Sequence, residues 1–219
     1  LADVKEVLFY EPGFEVKAFV PVNANSFKAK INVAPTARLG EHVCQIRTAT
    51  GISDYRTFFV GYMPDVAEVE TRQVKSEDGK TVIGNESNSD FATPQQIPMN
   101  VTVSGVATNE DVDYYVVDAK KGQRIAAEVE GMRLGTTLFD PYVAILDSKR
   151  FELAAADDSP LLVQDCVVTA IAPEDGKYTI EVRESSYGGN GNCRYRVHIG
   201  NFPRPTAVYP AGGKIGEEV

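Results

Sequence analysis

Apolar and polar residues alternate with a period of two over most of this chain, and no stretch sustains the three-to-four spacing of an amphipathic helix. Val4-Lys5-Glu6-Val7-Leu8-Phe9-Tyr10 alternates until Glu11-Pro12-Gly13 breaks it. Residues 15–22, 26–33, 40–48 and 55–61 repeat the pattern, with a turn at Thr50-Gly51-Ile52-Ser53 and a stop at Met63-Pro64. Five short strands with no helical period suit an antiparallel sandwich. Residues 64–84 are polar and lack a sustained apolar period, so they read as a linker, with a short hairpin across Asp78-Gly79.

From Glu86 the period of two returns. Strands are predicted over 99–105, 113–119, 123–130, 142–146, 166–172, 176–183 and 193–199. Turn residues separate them at Lys121-Gly122, Leu134-Gly135, Glu174-Asp175-Gly176 and Gly188-Gly189-Asn190-Gly191-Asn192. The predicted fold class is all-β, with two β-sandwich domains.

Composition narrows the partners. The 219 residues carry 31 acidic against 22 basic side chains, a formal charge of -9, and the basic ones form no patch. A nucleic-acid backbone therefore has nothing to bind. No apolar run approaches the roughly 18 residues of a membrane span, so no membrane insertion is expected. The first residues lack the layout of a signal peptide and there is no initiator Met, so the chain is expected to be a piece of a longer protein.

Catalytic chemistry finds little support. There are two histidines, His42 and His198, each in a predicted strand, and no H-E-x-x-H, G-x-S-x-G or Walker loop. The chain reads as no enzyme. The single glycine-rich copy at 188–192 reads as a hairpin loop, because calcium-binding β-roll repeats need neighbouring copies to complete each coordination sphere. The sequons at Asn85 and Asn100 are assigned no glycan. With no Trp, a carbohydrate platform rests on Tyr187 in that loop.

Three cysteines, at 44, 166 and 193, are too few for a disulfide scaffold and wrongly spaced for a zinc ribbon. Two readings stand for them. They are small buried hydrophobes, or Cys166 pairs with Cys193, since both begin predicted strands that a sandwich can bring together, leaving Cys44 free. The acidic groups also carry two readings. Glu86, Asn88 and Asp90 precede the first strand of the second domain, and Asp111 and Asp113 begin its next one. They are either turn formers on a solvated acidic surface or members of an ion site.

Two resemblances bear on this choice. Ala34-Pro35-Thr36-Ala37-Arg38-Leu39-Gly40-Glu41-His42, leading to Arg47-Thr48-Ala49-Thr50-Gly51-Ile52-Ser53, resembles the late strands of the immunoglobulin-like domains repeated in large bacterial surface proteins. That implies a partial immunoglobulin-like sandwich over 1–63, short of its first strands. The tail from 204 to 219 resembles the opening of another such unit.

The second resemblance is carried by Asp113-Tyr114-Tyr115 with Lys121-Gly122-Gln123, Phe139-Asp140-Pro141-Tyr142 with Leu146-Asp147, Asp157-Asp158, and Asp175-Gly176-Lys177-Tyr178-Thr179-Ile180-Glu181-Val182. Together these resemble the bacterial pre-peptidase C-terminal domain, a jelly-roll-like sandwich attached to secreted proteases and related to the collagen-binding domains of clostridial collagenases. The resemblance implies such a domain over 85–203. It implies a non-catalytic accessory or spacer module of a large secreted or periplasmic bacterial protein. The alternative is a protein- or carbohydrate-binding domain attached to a secreted hydrolase. Its partners would be neighbouring domains of the same protein and an extracellular protein or glycan, and its location extracellular, cell-surface or periplasmic.

The resemblance also implies a calcium site. Glu86-Ser87-Asn88 matches the family's Glu-Pro-Asn stretch and Asp113 the Asp of its Asp-Tyr-Tyr stretch; Asp90 and Asp111 join on spacing alone. Ser87 replaces the usual Pro, Ser89 stands where Asp or Asn is common, and Gly84 where a further Glu is common. Fewer carboxylates imply an affinity in the roughly 0.1–1 mM range of extracellular modules.

Overall fold

The computed structural model describes residues 3–76, 80–205 and 207–218. The chain forms two compact units, Leu1–Tyr62 and Met63–Val219. Strands dominate both. The single helical element among the described residues is a 3-10 turn at Met132–Leu134.

The first unit contains the five predicted strands: β1 (Glu6–Phe9), β2 (Phe14–Asn23), β3 (Ser26–Val33), β4 (Gly40–Arg47) and β5 (Arg56–Val60). β1, β4 and β5 form one antiparallel sheet, and β2 and β3 form a separate hairpin ribbon. Its core is aromatic. Phe14 lies 5.0 Å from Phe9, 5.2 Å from Phe58 and 4.8 Å from His42, ring centre to ring centre. The buried His42 imidazole is held by Nε2 against the Arg38 carbonyl at 2.7 Å, which makes it a packed core histidine rather than a reactive one.

The second unit contains β6 (Asp65–Ala67), β7 (Thr71–Lys75), β8 (Val82–Ser87), β9 (Gln95–Gln96), β10 (Val101–Val106), β11 (Val112–Ala119), β12 (Arg124–Glu130), β13 (Pro141–Leu146), β14 (Glu152–Ala156), β15 (Val167–Ile171), β16 (Gly176–Glu184) and β17 (Arg194–Gly200). Two five-stranded sheets pack on one core, in the orders β15-β12-β17-β10-β6 and β14-β13-β16-β11-β9. Because side chains alternate across a strand, Tyr115 and Val117, Ile125, Ala127 and Val129, and Tyr195, Val197 and Ile199 all face inward. From β10 to β13 each strand changes sheet, so chain neighbours face each other across the core. This is the sandwich that the second half of the sequence predicts.

The linker reading of residues 64–84 is corrected. β6 joins the first sheet in parallel with β10, pairing Asp65 with Thr102 and Ala67 with Ser104. β7 and β8 form an antiparallel pair, with Thr71 opposite Ser87; Asp78 and Gly79 lie outside the described residues. The physical reason is that an edge strand pairs through its main chain, which any residue supplies. From β6, Val66 alone packs against the core, so no apolar period marks the segment.

The Cys166–Cys193 pairing is also corrected, since all three cysteines are free thiols. β12 lies between β15 and β17, putting the two cysteines' strands two spacings apart, roughly 9–10 Å. That exceeds the roughly 7 Å reach of a disulfide. The buried Cys166 thiol instead donates to the Pro141 carbonyl at 3.2 Å, and burial pushes its pKa well up.

Candidate metal centre

The acidic side chains that meet in space come from three separate stretches. Glu68 immediately follows β6 and its amide donates to the Ser104 carbonyl at 3.0 Å, which turns its side chain over the end of the sandwich. Gln95 fixes this turn from below, accepting from Val69 N at 2.8 Å and donating to the Ala67 carbonyl at 3.1 Å. Two residues on, Glu70 points the same way by strand-like alternation. Asp113 enters from β11, fully buried. Carboxylate oxygens of Glu68, Glu70 and Asp113 all lie within 4.8 Å of one another.

Asn88 ties the group together from the turn after β8. Its Nδ2 donates to Asp113 Oδ1 at 2.7 Å and to Glu68 Oε1 at 3.0 Å, while its Oδ1 is buried with no hydrogen-bond partner. Tyr195 donates to Asp113 Oδ2 at 2.6 Å and shares a 2.5 Å contact with the Tyr115 hydroxyl, which in turn donates to Glu68 at 3.3 Å. Asp111 forms an outer layer, accepting from Ser89 Oγ at 3.2 Å and from Thr108 N at 3.1 Å. Ser89 Oγ also lies 3.1 Å from Glu70, so its single hydroxyl proton serves one of the two acids at a time.

None of the ion pairs among the described residues involves Glu68, Glu70, Asp111 or Asp113. The electrostatics follow. Burial first, and then the Glu68 carboxylate beside it, push the Asp113 carboxyl up to about 10. Glu70 is raised by burial and by Asp111. Burial and the nearby Asp113 carry the Tyr115 phenol well above its ordinary value, and Tyr195, raised by burial and by Tyr115, stays neutral too. Carboxylates this close relieve their repulsion by holding a proton or by sharing a cation.

Of the five residues expected at an ion site, Asn88, Asp111 and Asp113 are here. Glu86 is turned away into an ion pair with Arg72 at 2.8 Å, and Arg72 also binds the carbonyls of Thr93 and Pro94. Asp90 is exposed and caps a turn, accepting from Ala92 N at 2.9 Å. Glu68 and Glu70 take their places. They escaped the sequence reading because Glu-Val-Glu inside a polar stretch looks like linker, although two acids at i and i+2 share one face of an extended chain.

One other constellation has the outline of a catalytic set. Thr102 Oγ1 lies 2.8 Å from His198 Nδ1, and His198 Nε2 lies 3.3 Å from Glu130 Oε1, the hydroxyl–imidazole–carboxylate order of a nucleophilic triad. Thr102 is 0 % exposed, so its hydroxyl reaches no substrate. The row is instead the inner part of a cross-strand ion network in which Arg196 binds Glu130 at 2.8 Å. The Arg183 guanidinium covers one face of the Tyr187 ring at 4.3 Å and stacks on Tyr142 at 3.8 Å, and Tyr187 remains 49% exposed.

No family model matches the chain, and no curated protein matches it. Solved structures do. The pre-peptidase C-terminal domain of collagenase from Bacillus anthracis aligns over 49% of this chain and 94% of its own, at 15% identity and a TM-score of 0.37. PliG of Salmonella Typhimurium, a periplasmic inhibitor of g-type lysozyme, aligns over 49% and 98%, at 19% identity and 0.33. The CBM51-2 and INT domains of Clostridium perfringens ZmpB align over 86% of this chain and 40% of theirs, at 9% identity and 0.34. The first of these is the kind of domain that residues 85–203 resemble; at such identities and TM-scores the likenesses carry no inference about activity or ligand.

Proposed function

We propose that the chain is a non-catalytic accessory or spacer module of a secreted, cell-surface or periplasmic protein, and that its second unit is a pre-peptidase C-terminal-like sandwich stabilised by calcium. The observation that carries the calcium reading is the Asn88 amide. Its Nδ2 faces Asp113 and Glu68 while its buried Oδ1 has no partner, a costly arrangement for an amide beside three carboxylates. Amide O and N are told apart by their partners, so a cation among the carboxylates would favour the turned-over amide, with oxygen inward.

Glu68, Glu70 and Asp113 would hold the ion, with Asn88 supplying an amide oxygen and Asp111 a second-layer charge. All are oxygen donors, as calcium requires, and none is the nitrogen or sulfur that zinc prefers. When bound, calcium supplies a fixed positive charge that lets the carboxylates ionise together. The chain's own residues do the rest. Glu68 anchors β6 to β10 by accepting from Val106 N at 3.0 Å, and Asn88 holds β11 through the Tyr114 amide at 2.8 Å. The site thus joins the segment leading out of the first unit to the sandwich, a mechanical role suited to a spacer.

The test is a thermal melt with and without calcium. Binding to the folded state alone stabilises by about 2.7 kcal/mol at a hundredfold ligand excess over Kd. Melting temperature is expected to climb through the millimolar range and to fall back with a chelator. A melt unmoved by 10-fold more than about 1 mM calcium, the weak end for extracellular modules, overturns the reading.

A further inference from the structure

Residues 159–165, between β14 and β15, form a closed loop. Ser159 N donates to the Asp165 carbonyl at 3.2 Å, Leu162 N to the Ser159 carbonyl at 3.1 Å and Asp165 N to the Leu162 carbonyl at 3.0 Å. Ser159 Oγ accepts from Val167 N at 2.9 Å and fastens the loop to β15. Leu162 is buried, while its neighbours Leu161 and Val163 stand out at 92% and 73% exposure, with φ of 71° and 62°. Left-handed backbone favours glycine, and a β-branched residue there is an outlier. A turn that only joined two strands would be more stable with glycine at both positions. Here the strain holds two apolar side chains in water, on either side of a buried anchor.

The same end of the sandwich carries a third. Asp165 accepts from the amides of Gly131 and Met132 at 2.9 and 2.7 Å, and Cys166 Sγ donates to the Pro141 carbonyl at 3.2 Å. The loop from β12 to β13 is thus held at both its ends by the residues that close the first loop. From it Leu138 projects at 84% exposure. The charges nearby are acidic: Asp157 and Asp158 are exposed, no Lys or Arg occurs between Arg150 and Lys177, and Arg133 is paired with Asp165 and Glu128.

Area and charge identify the occupant. Three side chains on protruding loops fall well short of the roughly 800 Å² per partner that a stable protein interface covers. They offer roughly eleven side-chain carbons, close to a myristoyl chain, which is enough for reversible attachment to a lipid surface. The acidic surround repels anionic headgroups and suits a surface whose outermost charge is the choline cation of a zwitterionic lipid. We propose that these two loops dock this end of the second unit on a zwitterionic lipid surface, with Leu138, Leu161 and Val163 entering the interface. Because the 159–165 loop is already closed by its own hydrogen bonds, docking has little further chain to order. The contact lies in the interface and crosses nothing.

Vesicle pelleting of the full chain in chelator tests this independently of the metal centre. Half of the chain is expected to pellet with phosphatidylcholine vesicles at about 0.1 mM lipid, the strength of a single acyl chain. Replacing part of the lipid with phosphatidylglycerol is expected to weaken binding. Leu161→Gly with Val163→Gly is expected to weaken it by more than about tenfold. The same variant should melt at a higher temperature, since glycine accepts the left-handed backbone. A loop with a merely structural role would show the second effect without the first. Phe151→Ser, at an exposed position on the opposite end of the sandwich, leaves binding unchanged. Chain that stays in the supernatant at about 1 mM lipid leaves the tips to a protein partner and overturns the proposal. Tighter binding to the phosphatidylglycerol vesicles, or equal loss in both variants, overturns it too.

Discussion

Gly105 and Tyr195 face each other across β10 and β17, and the Tyr195 ring occupies the space a Cβ at 105 would fill. The missing side chain is what lets the phenol lie back toward Asp113. Gly105→Ala would push the ring out of a close-packed core, at a cost of about 1–3 kcal/mol. It would also lengthen the 2.6 Å contact with Asp113. Chemical denaturation reads the first effect and the calcium response of the melt reads the second; unchanged stability would show that the ring is free to shift.

Glu68→Gln is expected to abolish the calcium-induced rise in melting temperature, whereas Glu86→Gln leaves it intact. Glu68 reaches the carboxylate group and Glu86 is spent on Arg72. Equal loss in both variants would return the site to the residues expected from the sequence.

Stability without calcium should depend on pH in a direction set by Asp113. Its carboxyl is raised from 3.8 to about 10, so the folded state keeps a proton that the unfolded chain releases. This contribution is fully present below about pH 4 and is lost as pH rises toward 10, by at most about 1.4 kcal/mol per pH unit for one proton. Calcium competes with that proton, so its affinity strengthens over the same window. Melts in chelator and calorimetric titrations at pH 5.5 and 8 check both signs.

Asp165 is fully buried and accepts from the amides of Gly131, Met132 and Arg133 and from Arg133 Nε at 2.5 Å. Asp165→Ala strands three amides and half of a buried ion pair, for a loss of about 3–5 kcal/mol. Denaturant unfolding measures it, and a loss below about 1 kcal/mol would mean water replaces the carboxylate without strain.

The thiols offer a simple check of topology. Alkylation of the denatured chain without reductant is expected to modify Cys44, Cys166 and Cys193 alike. In the native state Cys44, the least buried, reacts first.

The alternation of side chains determined most of the strands by itself, because a strand that must bury one face shows that requirement residue by residue. β2, β3 and β12 run within a residue of the predicted spans for this reason. β14 escaped because Leu-Ala-Ala-Ala at a sheet edge has little to bury and shows no alternation. Asp113 and Asn88 were legible as site residues, being carried by a resemblance in local sequence. Glu68 and Glu70 were not, and neither was the diversion of Glu86 to Arg72. Those depend on β6 pairing with β10, a main-chain contact that the side chains of residues 65–67 hardly record, and on which acid a distant arginine claims. The separation of Cys166 from Cys193 likewise turns on β12 lying between their strands. Periodicity tells a strand which face to bury; only the tertiary structure decides which strand lies beside it, because every backbone offers its neighbours the same hydrogen bonds.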